Sequence, residues 1–459
     1  MNQFVFEGVV ADVLSEHFGE AVELVGVTLL RNGPLTIGEI LRVANLSLLS
    51  FPREVSNPLT SFSASSVEGV SWKHVRDSLL ALIHFGLVVL TSDNTYILQT
   101  DRVIRRLCFP IYLETTVLSL EEKVALETVL RRGRVARSAL NAAATDSLLE
   151  RKILLTVDSL TTTKRTKRDS IVITANIDTL HADLLGSLAA TFVADQLGPT
   201  AGKLVSSLRA GPASVTELEG GNELIGSLMR LQQQGWVVKS ATTGRVVNNK
   251  QMGKKDYFAT LIDTASSDTV PVYTLHMGRI MDELQACVVL NLVRARLGPE
   301  GARVFAGALG RKLESHHLAE QCAIGREECL KHLHALAVEG ICQIQEVPKV
   351  TGSLSAAGGV AAMMRAVSSS FWLYSVDPVS ARLCTTTWIA STITNLRRRF
   401  RHEVFRQCRI EDRAGTISQA EETYLFRVHE AQDAIEAASI SLVHSLCVLT
   451  HEHTSEASV

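Results

Sequence analysis

A mainly α-helical chain with small β wings, built as four tandem winged-helix domains around a C-terminal coiled-coil helical hairpin, is the fold class that this sequence of 459 residues predicts. Three observations predict it. A helix–glycine–strand pattern recurs at one spacing, a glycine break between two helices recurs ahead of it, and the closing stretch 378–459 repeats apolar residues every three or four positions. The composition is that of a globular protein, 46% hydrophobic and 20% charged, with length for about three domains of 100–200 residues each. Lys and Arg total 46 against 48 Asp and Glu, a net charge of −2, so any nucleic-acid contact must come from local patches.

The recurring pattern is clearest at three places. Leu79-x-x-Leu82-x-x-x-Gly86 runs into Leu87-Val88-Val89-Leu90, Leu228-x-x-Leu231-x-x-x-Gly235 into Trp236-Val237-Val238, and Leu333-x-x-Leu336-x-x-x-Gly340 into Ile341-Cys342-Gln343-Ile344. Leucines three apart share one face of a helix, and the glycine supplies the left-handed residue that ends it. The apolar run that follows reads as a strand. Ahead of each copy, Phe18-Gly19, Leu197-Gly198-Pro199 and Leu297-Gly298-Pro299 close one helix and open another. The helices so opened are Ala21–Leu30, Ala201–Leu208 and Ala302–Leu309, each followed by a polar turn and a short helix such as Thr36–Ala44, where Thr36-x-x-Glu39 has capping-box spacing. Helix, turn, helix, helix and two strands is the winged-helix order.

A fainter copy lies between the first and second of these. Leu118–Arg131, Val135–Ala143 and Ser147–Lys152 read as its helices, with Lys152 where the capping glycine belongs. Ile153-Leu154-Leu155 reads as its strand, Thr161–Asp169 as its turn and Ser170–Thr174 as the return strand. The predicted domains are therefore 1–109, 110–180 (degenerate), 181–275, 276–377 and the hairpin 378–459. Two segments read as loops: 49–70, with two prolines and six serines, and 350–370, too poor in large apolar side chains to order itself. In the hairpin, Val379–Arg409 carries Leu383, Trp388, Ile389, Ile393, Leu396 and Phe400. The second helix, opened by Ser418-x-x-Glu421, carries Leu425, Val428, Ala431, Ile435, Ala438, Leu442, Leu446 and Leu449.

Candidate chemistry is sparse. His316, His317, Cys322, Cys329, His332, His334 and Cys342 cluster in sequence, but no two cysteines lie nearer than seven residues, unlike the close pairs that chelate zinc. We expect core thiols and surface histidines there, with no metal and no cofactor. Gly352 to Gly359 lacks nucleotide-loop spacing, and no nucleophile elbow appears, so nothing favours an enzyme or a small-molecule substrate. The longest apolar runs, such as Ala438–Leu449, fall below the ~20 residues of a membrane span. The eight scattered cysteines suit a reducing compartment, and the N-terminus lacks a secretory signal. Three basic stretches remain. Lys164, Arg165, Lys167 and Arg168 stand where the second wing turns, and Lys250, Lys254 and Lys255 where the third does. Both are candidates for sequence-independent phosphate contact. Arg397, Arg398, Arg399 and Arg401 form a basic stretch on the first hairpin helix, a candidate partner-binding face.

Phe18-Gly19-Glu20 through Leu29-Leu30-Arg31-Asn32-Gly33-Pro34-Leu35-Thr36, followed by Val75-Arg76-Asp77-Ser78-Leu79-Leu80, resembles the first winged helix of the third-largest subunit family of eukaryotic RNA polymerase III. Ile344-Gln345-Glu346-Val347-Pro348-Lys349, Phe371-Trp372-Leu373-Tyr374-Ser375-Val376-Asp377 and Asn395-Leu396-Arg397-Arg398-Arg399 are similar to that family's passage from its fourth winged helix into its hairpin. The resemblance implies a nuclear, non-catalytic member of the initiation heterotrimer. It further implies binding to the clamp of the largest subunit and to the two other heterotrimer subunits, non-specific contact with promoter DNA, and a part in promoter opening. The degenerate second domain and a short hairpin depart from the family. A tandem winged-helix docking scaffold outside transcription, as in membrane-sorting or proteasome-lid-like complexes, is the alternative class.

Overall fold

The computed structural model describes residues 3–50, 71–158, 171–214, 221–241, 271–348, 370–412 and 418–451. The chain is mainly helical, with small two- and three-stranded antiparallel sheets, consistent with winged helices. It divides into two compact units, one of residues up to His181 together with those from Cys287, the other chiefly Ala182–Ala286.

The larger unit begins with α1 (Glu7–Phe18), α2 (Glu20–Asn32), α3 (Ile37–Ser50) and α4 (Trp72–His84), then the hairpin of β1 (Val88–Leu90) and β2 (Tyr96–Leu98). Short helices α5 (Thr100–Arg105) and α6 (Phe109–Thr115) lead to α7 (Leu120–Arg132), β3 (Arg134–Ala136), α8 (Ala142–Glu150), β4 (Leu154–Asp158) and β5 (Ile171–Ala175). The smaller unit takes most of α9 (Ile177–Leu197), with α10 (Pro199–Arg209), β6 (Ala213–Ser214), α11 (Gly221–Gln233), β7 (Val237–Ala241) and β8 (Pro271–Leu275). The larger unit resumes within α12 (Met277–Ala308), which bends at Gly298. It continues through β9 (Leu313–Glu314), α13 (Ser315–Cys322), α14 (Arg326–Val338), β10 (Cys342–Pro348), β11 (Ser370–Val376), α15 (Pro378–Glu411) and α16 (Gln419–Thr450).

The repeated cap is visible in the backbone. Gly86, Gly235 and Gly340 have φ of 68°, 73° and 76°. The residue after each glycine donates its amide to the carbonyl five positions back: Leu87 to Leu82, Trp236 to Leu231 and Ile341 to Leu336, at 2.8, 3.0 and 2.9 Å. This is the bond that closes a helix and turns the chain into a strand. The second copy makes the same bond, Ile153 to Leu148 at 3.0 Å, with Lys152 itself forced to a φ of 58°. The leucines of the pattern (Leu79, Leu82, Leu228, Leu231, Leu333, Leu336) are all buried, each worth about 1.5–3 kcal/mol.

Several sequence expectations are corrected. The stretch Val135–Ala143 is strand β3 and a 3₁₀ turn, and the helix runs over Ala142–Glu150 rather than Ser147–Lys152. Helix α3 continues to Ser50, beyond Ala44 and into the start of the expected loop 49–70; the rest of that loop, and nearly all of 350–370, lies outside the described residues. The "polar turn" between the second and third helices holds a short strand in the later copies. Val135 pairs with Ile173, Ala213 with Tyr273 and Leu313 with Tyr374, and an isolated Leu35–Tyr96 bridge takes this place in the first copy. In the hairpin, Leu383 and Ala438 are exposed, while Ala381, Thr385 and Val443 are buried. By length and composition α16 could cross a membrane, with a window of mean hydropathy 1.3 of which a third is buried. Its polar interruptions hid that property from a reading based on apolar runs.

Candidate functional site

The structure draws chemistry together where α1, the α5–α6 segment, α15 and α16 meet inside the larger unit. Helices α1 and α15 approach closely at Gly8, where an added Cβ would lie 3.0 Å from Thr394 Oγ1. One turn on, the charges become complementary. Asp12 and Glu16 are four apart on α1, Arg397 and Arg401 four apart on α15, so each pair shares a helix face. Arg397 donates to Glu16 and Arg401 to Asp12, and Arg401 Nε stands 3.6 Å from a Glu16 oxygen. Asp12 is buried, with Oδ2 lacking a hydrogen-bond partner. The four arginines thus divide: Arg397 and Arg401 hold the hairpin against α1, whereas Arg398 and Arg399 are exposed. The acidic pair on α1 was not singled out in sequence, although its i, i+4 spacing mirrors that of the arginines and was the available signal.

Further toward the N-terminal end of α15, Trp388 Nε1 donates to Glu339 at 3.0 Å, and Arg296 lies 4.4 Å over the Trp388 ring while also donating to Glu339 at 2.7 Å. This triad ties α12 and the end of α14 to the hairpin. Gly340, the helix-capping glycine beside it, has Cys384 Sγ within van der Waals reach.

The sequence-clustered histidines and cysteines separate. Cys322, Cys329 and Cys342 are buried, and burial pushes each thiol up, Cys342 to about 11. His316 and His317 come together with Glu314, their ligand atoms within 4.8 Å, whereas His332 stands 3.7 Å from Glu300. A second convergence was missed entirely. Cys108 and Cys447, with sulfurs 3.1 Å apart, meet His181, whose Nδ1 is 3.2 Å from the Tyr112 hydroxyl. No sequence signal could have found three residues so widely spaced. The hydrogen bond from the Cys447 thiol pulls the Cys108 pKa down and raises that of Cys447, and burial raises that of Tyr112. Two thiolates on one tetrahedral zinc stand ~3.8 Å apart, from bonds of about 2.3 Å. The Cys108 and Cys447 sulfurs stand closer than that, within hydrogen-bond reach of each other.

Of the candidate phosphate contacts, Lys164, Arg165, Lys167 and Arg168 belong to the segment joining β4 to β5, and Lys250, Lys254 and Lys255 to the segment joining β7 to β8. All seven lie outside the described residues.

The comparisons with known proteins point to one polymerase subunit. A family model for the helix-turn-helix domain of RNA polymerase III subunit RPC82 matches residues 8–50, spanning α1 to α3. The chain is similar to the DNA-directed RNA polymerase III subunit RPC3 of Bos taurus, 20% identical over 464 residues that cover 80% of this chain and 79% of that protein. It is likewise 20% identical to the same subunit of Homo sapiens over 500 residues, covering 88% and 85%. With the domain match at one end and similarity through most of its length, the chain is a distant homologue of RNA polymerase III subunit RPC3 (RPC82).

Proposed function

We propose that this protein is a non-catalytic, nuclear subunit of RNA polymerase III, acting in transcription of the small structured RNA genes that enzyme serves. The observation that carries the reading is the similarity to RPC3 over most of the chain, together with the helix-turn-helix match on α1 to α3. The repeated helix–cap–strand units support an arrangement of winged helices over 1–109, 110–180, 181–275 and 276–377, with the hairpin 378–459 as the post on which the first and fourth pack. In this reading the chain docks on the clamp of the largest subunit and binds the two other heterotrimer subunits. The basic segments at Lys164–Arg168 and Lys250–Lys255 follow DNA phosphates without reading sequence, and assist promoter opening. Arg398 and Arg399 are available to a partner, since Arg397 and Arg401 are engaged within the chain. Affinity purification of the tagged chain from nuclear extract, with mass spectrometry of what co-purifies, tests the reading. The large subunits of RNA polymerase III are expected in stoichiometric amounts; their absence, with membrane-coat or proteasome-lid components in their place, would establish the scaffold alternative.

A further inference from the structure

Arg106 is the most unusual charge among the described residues. It lies at the start of a 3₁₀ turn between α5 and α6, is 5% exposed, and its guanidinium carbon sits 4.8, 4.9 and 4.8 Å from the ring centres of Phe18, Phe85 and Phe109. Among the described residues it has no carboxylate partner, and its Nε has no acceptor. Burial lowers its pKa only to about 10, so the guanidinium stays charged at neutral pH. A buried cation without a counter-ion is unfavourable, and the faces of three rings compensate it only in part.

The same residue lines an open cavity of about 670 Å³ within the larger unit. The other charges there are already matched. Arg131 pairs with Glu127 at 2.7 Å and Arg397 with Glu16. His17, on the rim, is neutral, its pKa pushed down to about 4 by burial against the wall and by Arg106 and Arg397. One positive charge is therefore left over in a cavity whose remaining wall is mostly apolar, with Phe18, Phe85, Phe109, Leu107, Leu113 and Leu130 on it.

We propose that this cavity is a binding site for an acidic side chain, flanked by apolar residues, on a segment of a partner protein, with its carboxylate on Arg106. The charge arithmetic selects a monoanion. The carboxylates of Glu16 and Glu127 on the wall repel a phosphate dianion, and the single free guanidinium matches one carboxylate. The volume and apolar lining, far in excess of a bare carboxylate, select an anion carried on an apolar body. The identity of the partner as a polymerase subunit rests on the proposed function; the chemistry of the pocket does not.

The test uses the full chain with ¹⁵N-labelled arginine, the Arg106 Nε–H signal being assigned by Arg106→Lys. The probes are the peptide acetyl-Leu-Glu-Phe-amide, its Gln counterpart, sodium acetate and sodium phosphate. The Glu peptide is expected to move the Arg106 signal saturably, with the Gln peptide and acetate each at least tenfold weaker and phosphate no tighter than acetate. Equal binding of Glu and Gln peptides, preference for phosphate, or an unmoved Arg106 signal would overturn the proposal. Arg106→Met separates binding from structure. It is expected to lose Glu-peptide binding, measured by calorimetry, while the free chain melts no lower than wild type, because an unpaired buried charge is replaced by an apolar side chain of similar length. A lower melting temperature with peptide binding retained would make Arg106 a structural residue only. Should Arg106→Met fail to fold, the wild-type titration alone decides.

Discussion

The contact between α1 and α15 predicts an asymmetric response to removing either side of one ion pair. Asp12 is buried, and among the described residues its side chain accepts from Arg401 alone, which leaves Oδ2 unpartnered. Arg401 is less enclosed, its side chain 22% exposed, and a second carboxylate, Glu16, lies 3.6 Å away. Removing one partner of a buried pair costs about 3–5 kcal/mol when the other charge is stranded. Arg401→Ala strands Asp12 in this way and is expected to cost about 3 kcal/mol, the low end because the site is not fully closed. Asp12→Ala leaves Arg401 free to turn to Glu16 and is expected to cost only about 1 kcal/mol, the scale of a part-exposed hydrogen-bonded pair. The double variant strands nothing and is expected to cost less than Arg401→Ala alone, a coupling of about 2 kcal/mol. The appropriate measurement is hydrogen exchange of the α1 and α15 amides, in which 1.4 kcal/mol appears as a tenfold change in protection. If Asp12→Ala proves as costly as Arg401→Ala, or if the two single costs add, the pair does not hold the helices together as described.

Three further outcomes are expected. Lys152→Gly should stabilise the larger unit by about 0.5–1 kcal/mol, since a side chain in the left-handed region costs about 1–2 kcal/mol and glycine returns part of that as unfolded-chain entropy; a loss of stability in denaturant melts would show that Lys152 makes a contact worth more than the strain. Reversal of Lys164, Arg165, Lys167 and Arg168 to Glu should weaken binding to unrelated DNA sequences equally and reduce the salt slope by up to about four phosphate equivalents; unchanged affinity with an intact fold would remove that segment from the DNA-binding reading. Elemental analysis after dialysis should find no stoichiometric zinc, because no two cysteines lie nearer than seven residues and so none form the close pair that chelates from one turn; about one zinc per chain, lost in Cys108→Ser, would refute this.

Much of the backbone was legible because a few positions are governed by local conformation rather than by distant partners. Gly86, Gly235 and Gly340 were readable as helix stops, since a positive φ at that point is cheap for glycine alone. Gly19, Gly198 and Gly298 likewise marked the helix breaks where they occur. The capping boxes at Thr36–Glu39 and Ser418–Glu421 were readable from spacing, and Glu39 and Glu421 accept the expected bonds. The second copy was misread at Val135–Ala143 because its strand is three residues long and gains its order from Ile173, a partner far along the chain. The site was less legible still. Cys108 with Cys447, His181 with Tyr112, and Arg106 among three phenylalanines are all tertiary meetings that no local pattern encodes. The arginine stretch was visible, but the sequence could not say which of its members face inward.

Helix geometry explains that last division and gives it functional weight. Successive residues turn by about 100°, so Arg401 returns to within about 40° of Arg397, whereas Arg398 and Arg399 stand about 100° and 200° away. A run of arginines on a helix therefore cannot be one binding patch: if any of it presents charge to a partner, another part faces the body of the protein and must be neutralised there. Asp12 and Glu16 provide that neutralisation at the same i, i+4 spacing. The arrangement couples two roles in a few residues, because the inward arginines fix the angle at which the outward pair is displayed. Glu16 extends the coupling to the neighbouring cavity, where it lines the wall beside Arg106 while holding Arg397. A partner whose acidic side chain enters that cavity would thus meet a surface whose charges are set by the hairpin, so the post and the pocket form one recognition element rather than two.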